Sequence, residues 1–172
     1  NSFIFGFDYS KNAIKLAKKL YPNRSDFRRG IIGEIQYPEN AFDLIVSMDT
    51  IYFAKDMKNL VAQVKTWLKP SGVFFIGYQE GDVMPKTESL DKTEIVKALR
   101  YNHLKYEALD ITEQTYQMLK KKREAAKAYQ ENFIEEGNSM WFDMLMYQTA
   151  FCEQSYEDFA RKMSRYIFVV RK

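Results

Sequence analysis

Asp8 stands at the end of an apolar run, Phe3-Ile4-Phe5-Gly6-Phe7, and just ahead of an amphipathic stretch that begins at Lys11. A carboxylate at the carboxyl end of a buried strand lies on the edge of an open α/β sheet where ligands bind, and there it suits the hydroxyls of a ribose. Placed before a helix, the same residue could instead cap it or favour its dipole. Asp49 and Tyr52 follow a second apolar strand, and His103 lies between a helical and a strand pattern. Each of the three could take a proton in a reaction that needs a base. Their structural readings are a helix cap, a core aromatic and a loop histidine. With His103 the only histidine and Cys152 the only cysteine, no His/Cys cluster can hold zinc and no internal disulfide can form. Gly30-Ile31-Ile32-Gly33 has neither the spacing nor the preceding strand of a phosphate loop.

These residues need a sheet to bring them together, and the pattern supplies one. Ala13, Ile14, Ala17, Leu20 and Tyr21 form one face of a helix that Ser10 can cap. A weaker strand is expected at about Phe27 to Ile32. Phe42 to Met48 is a better one, followed by a helix carrying Met57, Leu60, Val61, Val64, Trp67 and Leu68 on one stripe behind Asp56 as cap. Lys69-Pro70-Ser71-Gly72 reads as a turn, and Val73 to Tyr78 as a strand covered on both faces. Asp91 with Glu94 reads as a capping box, as does Asp110 with Glu113. Between these boxes a strand is expected from Leu104 to Leu109. A long helix then runs to Gly137-Asn138, and a second, from about Met140 to Met163, is apolar on more than one side and expected to be buried on two faces. Arg165 to Arg171 reads as a terminal strand pairing antiparallel with the Leu104 strand.

The chain has 172 residues, of which 46% are hydrophobic and 28% charged, as expected of one globular domain. A net charge of +3 is too mild to imply nucleic acid, and the basic run Lys120 to Arg123 reads as a solvated helix face. No apolar run approaches the roughly 18 residues of a membrane span, so no membrane partner is expected. A reducing, cytoplasmic setting is the default for a chain with one cysteine.

Three segments in order and spacing resemble the class I S-adenosylmethionine-dependent methyltransferases. They are Gly6-Phe7-Asp8-Tyr9-Ser10 with Ala13, Ile14, Ala17 and Lys18, then Tyr37-Pro38-Glu39-Asn40-Ala41-Phe42-Asp43-Leu44-Ile45-Val46-Ser47, then Leu68-Lys69-Pro70-Ser71-Gly72-Val73-Phe74-Phe75-Ile76. The resemblance implies an α/β fold: a Rossmann-like, mostly parallel sheet with helices on both faces, an antiparallel C-terminal strand pair and a helical insertion before the last strand. One domain, 1–172, would hold all of it, with the insertion at 111–163. The family's first strand and glycine-rich loop are not found in the sequence, so the domain is expected to be N-terminally incomplete.

S-adenosyl-L-methionine is the cofactor this resemblance implies. Asp8 would accept from its ribose hydroxyls and Tyr9 would pack beside its adenine, with Glu34 and Ile35 near the adenine amino group. Ser47 and Met48 would line the methionine end. Trp141, Met144 and Tyr147, in the helical insertion, would line an acceptor pocket for a small molecule, or serve a homodimer surface. The expected activity is methyl transfer to a small organic acceptor. Two alternatives stay open: a truncated, non-catalytic interaction module, and a nicotinamide-dependent dehydrogenase, whose second strand also ends in an acid.

Overall fold

A computed structural model of the chain describes residues 2–172. The first strand, β1 (Ile4–Asp8), leads to α1 (Lys11–Leu20) and β2 (Ser25–Arg29), which pairs parallel with β1 and sets Asp8 opposite Arg29. Ser10 caps α1, its Oγ accepting from the Ala13 amide at 3.3 Å. Next come β3 (Phe42–Met48), α2 (Met57–Trp67), β4 (Leu68–Glu80), α3 (Glu94–Tyr101) and β5 (Lys105–Asp110), and the chain ends in β6 (Ser164–Arg171). These strands form a second sheet in the order β3-β4-β6-β5, parallel between β3 and β4 and antiparallel thereafter. The architecture is mixed α/β, and the expected antiparallel C-terminal pair is present, with Leu109 opposite Ile167.

One face of the four-stranded sheet holds the core. Phe74, Ile76 and Tyr78 of β4 and Phe168 and Val170 of β6 are buried there under the α2 residues Leu60, Val61 and Val64 and the α3 residues Ile95, Val96 and Leu99. Strand alternation sends Leu44, Val46 and Met48 to the other face, where all three are exposed.

Among the described residues, β1 and β3 do not pair, so each presents an open edge. The two sheets are joined instead by an aromatic cluster. Phe5 of β1 meets Phe42 of β3 at 5.4 Å between ring centroids, and Tyr37 lies 5.0 Å from Phe42 and 5.3 Å from Trp67. The contact between Phe5, near the start of β1, and Phe42, the first residue of β3, sets the amino ends of the two strands side by side. This corrects the expectation of a buried first strand, since Phe3, Ile4 and Phe5 are all exposed. An apolar run records only a demand for cover, and among the described residues β2 is the one strand paired with β1.

Several local expectations shift. The weak second strand lies at Ser25–Arg29 rather than Phe27 to Ile32. The stretch Lys69 to Gly72 is no free turn but the bent start of β4, and Ser71, not Gly72, carries the positive φ of 66°. Gly72 is required for space, because a Cβ there would lie 2.9 Å from the Lys69 carbonyl oxygen. Thr93, not Asp91, caps α3, its Oγ1 accepting from Val96, while Asp91 pairs with Arg100.

The insertion is four helices rather than two: α4 (Thr112–Ala128), α5 (Gln130–Glu135), α6 (Ser139–Gln148) and α7 (Tyr156–Lys162). Asp110 still serves the start of α4, its carboxylate accepting from the Thr112 amide at 2.8 Å. The expected Met140 to Met163 helix breaks because the Thr149 hydroxyl bonds back to the Leu145 carbonyl at 2.7 Å and Ser155 starts a new helix as cap of α7. No residue of α6 is buried, against the expectation of two covered faces. Tyr116, Cys152, Phe159 and Met163 form a separate small core under α4 and α7. The basic run divides as well: Arg123 turns inward to Glu153 and donates to the Met146 carbonyl at 2.6 Å. Among the described residues, no helix is long and apolar enough to cross a membrane, and no group of acidic, histidine and cysteine side chains could hold a metal ion.

Candidate functional site

The carboxyl ends of β1, β3 and β4 carry the candidate polar groups. Asp8 ends β1 half-buried, and its Oδ1 accepts from the Ser10 amide at 2.7 Å while its carbonyl accepts from Gly30 at 3.0 Å. The carboxylate is thus fixed through Oδ1 by the turn into α1. Cap and ligand readings of Asp8 are compatible, since Ser10 performs the capping and Asp8 shapes the turn. Beside it the Tyr9 ring is exposed, and Arg29 Nε donates to the Tyr9 carbonyl at 3.0 Å.

Glu34 and Ile35 have other partners. Glu34 pairs with Lys55 at 3.2 Å, and Ile35 packs on Gly30 and against the main core. A hollow of about 370 Å³ opens here, lined by Ile32, Gly33 and Glu34 on one side and Lys55, Asp56, Asn59 and Gln63 on the other. Gln63 donates to the Gly33 carbonyl at 3.3 Å, leaving its buried Oε1 without a partner. A larger hollow of about 600 Å³ lies along α4 alone, and no second element brings polar groups to it.

The chain leaves β3 by a sharp bend. Asp49 has a φ of 53°, a conformation uncommon for a residue other than glycine, and its amide donates to the Gly77 carbonyl at 3.0 Å. Met48 lies over Gly77, where an added Cβ would come 2.6 Å from the Met48 Cε. Ser47 shares a hydrogen bond of 2.8 Å with Thr50. Sheet register sets Met48 beside Gly77 and Gln79 beside Arg165, so Asp49 and Arg165 reach the same edge, where they form an ion pair.

Tyr52 stands next to this pair, edge-on to Phe53 at 5.1 Å and to Tyr78 at 6.1 Å between centroids. Burial, then the Asp49 charge, pushes its phenol up to about 12, so it is a hydrogen-bond donor at neutral pH rather than a base. Tyr78 is raised by burial too, and its buried hydroxyl faces the Glu94 and Ile95 backbone at the start of α3.

Ser47, Met48, Asp49 and Tyr52 therefore gather at the carboxyl end of β3, and Asp8 and Tyr9 stand at the carboxyl end of β1 in the other sheet. His103 lies at neither end. It is exposed in the turn before β5, whose first residue lies across β6 from Val73 at the amino end of β4. Trp141, Met144 and Tyr147 stay outside the site as well: α6 rests on α4 and α5, and Tyr147 is 83% exposed. The sequence reading missed Arg165 and Glu80. Glu80 is 1% exposed and accepts from the Thr87 amide at 3.1 Å and the Ser164 hydroxyl at 3.2 Å, which ties the loop after β4 to β6. An arginine set against the apolar alternation of Tyr166 to Val170 was the available signal for Arg165.

Comparison with known proteins bears on what this edge is for. Residues 2–76 match the family model described as a methyltransferase domain. Phosphoethanolamine N-methyltransferase 1 of Arabidopsis thaliana is 28% identical over 158 residues, covering 81% of this chain and 32% of the relative. Phosphoethanolamine N-methyltransferase 2 of Haemonchus contortus, solved in complex with S-adenosyl-L-methionine, superposes with a TM-score of 0.78 at 21% identity, covering 97% of this chain and 42% of that one. The [4+2]-cyclase SpnF superposes at 0.70 and 18% identity, covering 99% and 66%, so the fold by itself does not fix the reaction. The chain spans about a third or less of the length of the curated relatives it matches. The matched methyltransferase domain ends inside β4, and the chain shares its fold with the solved methyltransferase to which it is similar.

Proposed function

We propose that this chain carries part of the site of an enzyme that transfers the methyl group of S-adenosylmethionine to a small organic acceptor. The observation that carries the reading is the half-buried Asp8 carboxylate at the carboxyl end of β1, fixed by the Ser10 amide. This donor set fits the cofactor: Asp8 would accept from the ribose hydroxyls, the exposed Tyr9 ring would cover the base, and Ser47 and Met48 would line the methionine end. Glu34 is committed to Lys55, so the adenine amino group would have to compete for it. When bound, the cofactor supplies an electrophilic methyl on a sulfonium. The protein's task is alignment of a nucleophile with it, which can account for much of the rate.

On the acceptor side, Asp49 Oδ1 can accept a hydrogen bond from an incoming nucleophile and the Tyr52 hydroxyl can donate one. The names of the relatives make a phosphorylated amino alcohol the first acceptor to try. Calorimetric titration with S-adenosylhomocysteine tests the reading: Asp8→Ala is expected to weaken binding at least ten-fold while the circular dichroism spectrum is retained. Full affinity in that variant removes Asp8 from the site, and binding of a nicotinamide dinucleotide instead makes the chain a dehydrogenase.

A second reading, a non-catalytic interaction module, draws support from the exposed apolar face of β3 and the open edges of β1 and β3. It predicts a folded chain that ignores both cofactors.

A further inference from the structure

We propose that Arg165 is the receptor for an oxyanion on the acceptor, and that Asp49 is the internal counterion it exchanges for that group. The idea deepens the methyl-transfer reading and rests on it for the word acceptor; anion binding at Arg165 stands or falls separately.

The ion pair is half made. A guanidinium and a carboxylate in register form two parallel hydrogen bonds. Here Arg165 Nη2 meets Asp49 Oδ2, while Arg165 Nε and Asp49 Oδ1 are both buried and both without a partner. Buried polar atoms are nearly always paired, so one donor and one acceptor left idle beside each other mark a place for a ligand group. Nε and the remaining guanidinium hydrogens present the fork that fits a phosphate or carboxylate.

The backbone that carries the guanidinium is also held in advance. The Arg165 amide donates to Thr112 Oγ1 at 3.0 Å and its carbonyl accepts from the Ile111 amide at 2.8 Å, which pins β6 where the insertion begins. Asp49 is set by its left-handed φ and its bond to Gly77. Tyr52 stands close enough to feel both charges and keeps its proton, adding a neutral donor to the same corner. A purely structural clasp between β3 and β6 would gain from the second hydrogen bond and has no use for the idle pair.

The corner also offers a paired recognition. An acceptor with an anionic group and a nucleophilic N–H or O–H would satisfy Nε with the first and Asp49 Oδ1 with the second. Phosphate esters and carboxylates share the required chemistry and are separated by experiment.

The test is calorimetric titration of the full chain with inorganic phosphate, O-phosphoethanolamine and glycine, with S-adenosylhomocysteine titrated in parallel. Wild type is expected to bind at least one of the three. Arg165→Gln is expected to lose that binding at least ten-fold, and Arg165→Lys, which keeps charge but not the fork, to fall between. Asp49→Asn is expected to bind the anion several-fold more tightly, because the competing carboxylate is gone. A mere clasp gives no such gain. Preference for phosphate and O-phosphoethanolamine assigns a phosphate ester; preference for glycine assigns a carboxylate. Equal anion affinity in wild type and Arg165→Gln, weaker affinity in Asp49→Asn, or no anion binding by a folded wild type overturns the proposal. Loss of S-adenosylhomocysteine binding alone counts against the cofactor reading and leaves the anion site standing.

Discussion

Tyr52 decides how the candidate site can work with protons. Its phenol, pushed to about 12 by burial and by Asp49, gives no phenolate near neutral pH. Tyr52→Phe is therefore expected to move no limb of a methyl-transfer pH profile below pH 10, measured as kcat/KM against pH. Asp8 was legible in the sequence because its context is local: an apolar strand, a carboxylate, a capping serine and a helix within about a dozen residues. The Asp49 and Arg165 pair was not, because its partners are 116 positions apart and meet only through the register of β3, β4 and β6. His103 illustrates the converse. Its residue type invited a chemical role, and the antiparallel return of β5 puts it at the far end of the sheet.

Among the elements, those with a strict period were read well and those held by tertiary contacts were not. Phe42 to Met48 alternates under flanking turn signals and forms that strand to the residue, and the terminal strand is recovered with its partner. The insertion resisted because α6 is apolar all round, so its pattern names neither a buried face nor an end. Two tests belong to this scale. Thr93→Ala removes the side-chain cap of α3 and is expected to cost about 1 kcal/mol, read from urea denaturation. Gly81→Ala is expected to be worse, by about 3 kcal/mol or enough to prevent folding. Gly81 has a φ of 98°, and an added Cβ would lie 2.1 Å from the Lys162 carbonyl oxygen, where the loop after β4 crosses the end of α7.

At the scale of the whole molecule, burial of tyrosines sets an alkaline limit. Tyr37, Tyr52, Tyr78 and Tyr166 are all raised above 10 by desolvation. A phenol whose folded pKa exceeds its unfolded value stabilises the fold fully below pH 10 and loses that contribution as pH rises toward 12 and beyond. The urea midpoint is expected to stay level up to about pH 10 and then fall, with tyrosinate absorbance appearing alongside unfolding. The exposed row Leu44, Val46 and Met48, next to an open strand edge, predicts that the chain self-associates. Sedimentation velocity is expected to show more monomer for Val46→Lys than for wild type. The ring cluster of Phe5, Tyr37, Phe42 and Trp67 has a further effect on how the protein opens. With no backbone ladder across the split, those rings carry the cooperativity between the two sheets. Tyr37→Ala is then expected to turn one unfolding unit into two, with amide hydrogens of β1 and β2 exchanging faster while those of β4 and β6 keep their protection.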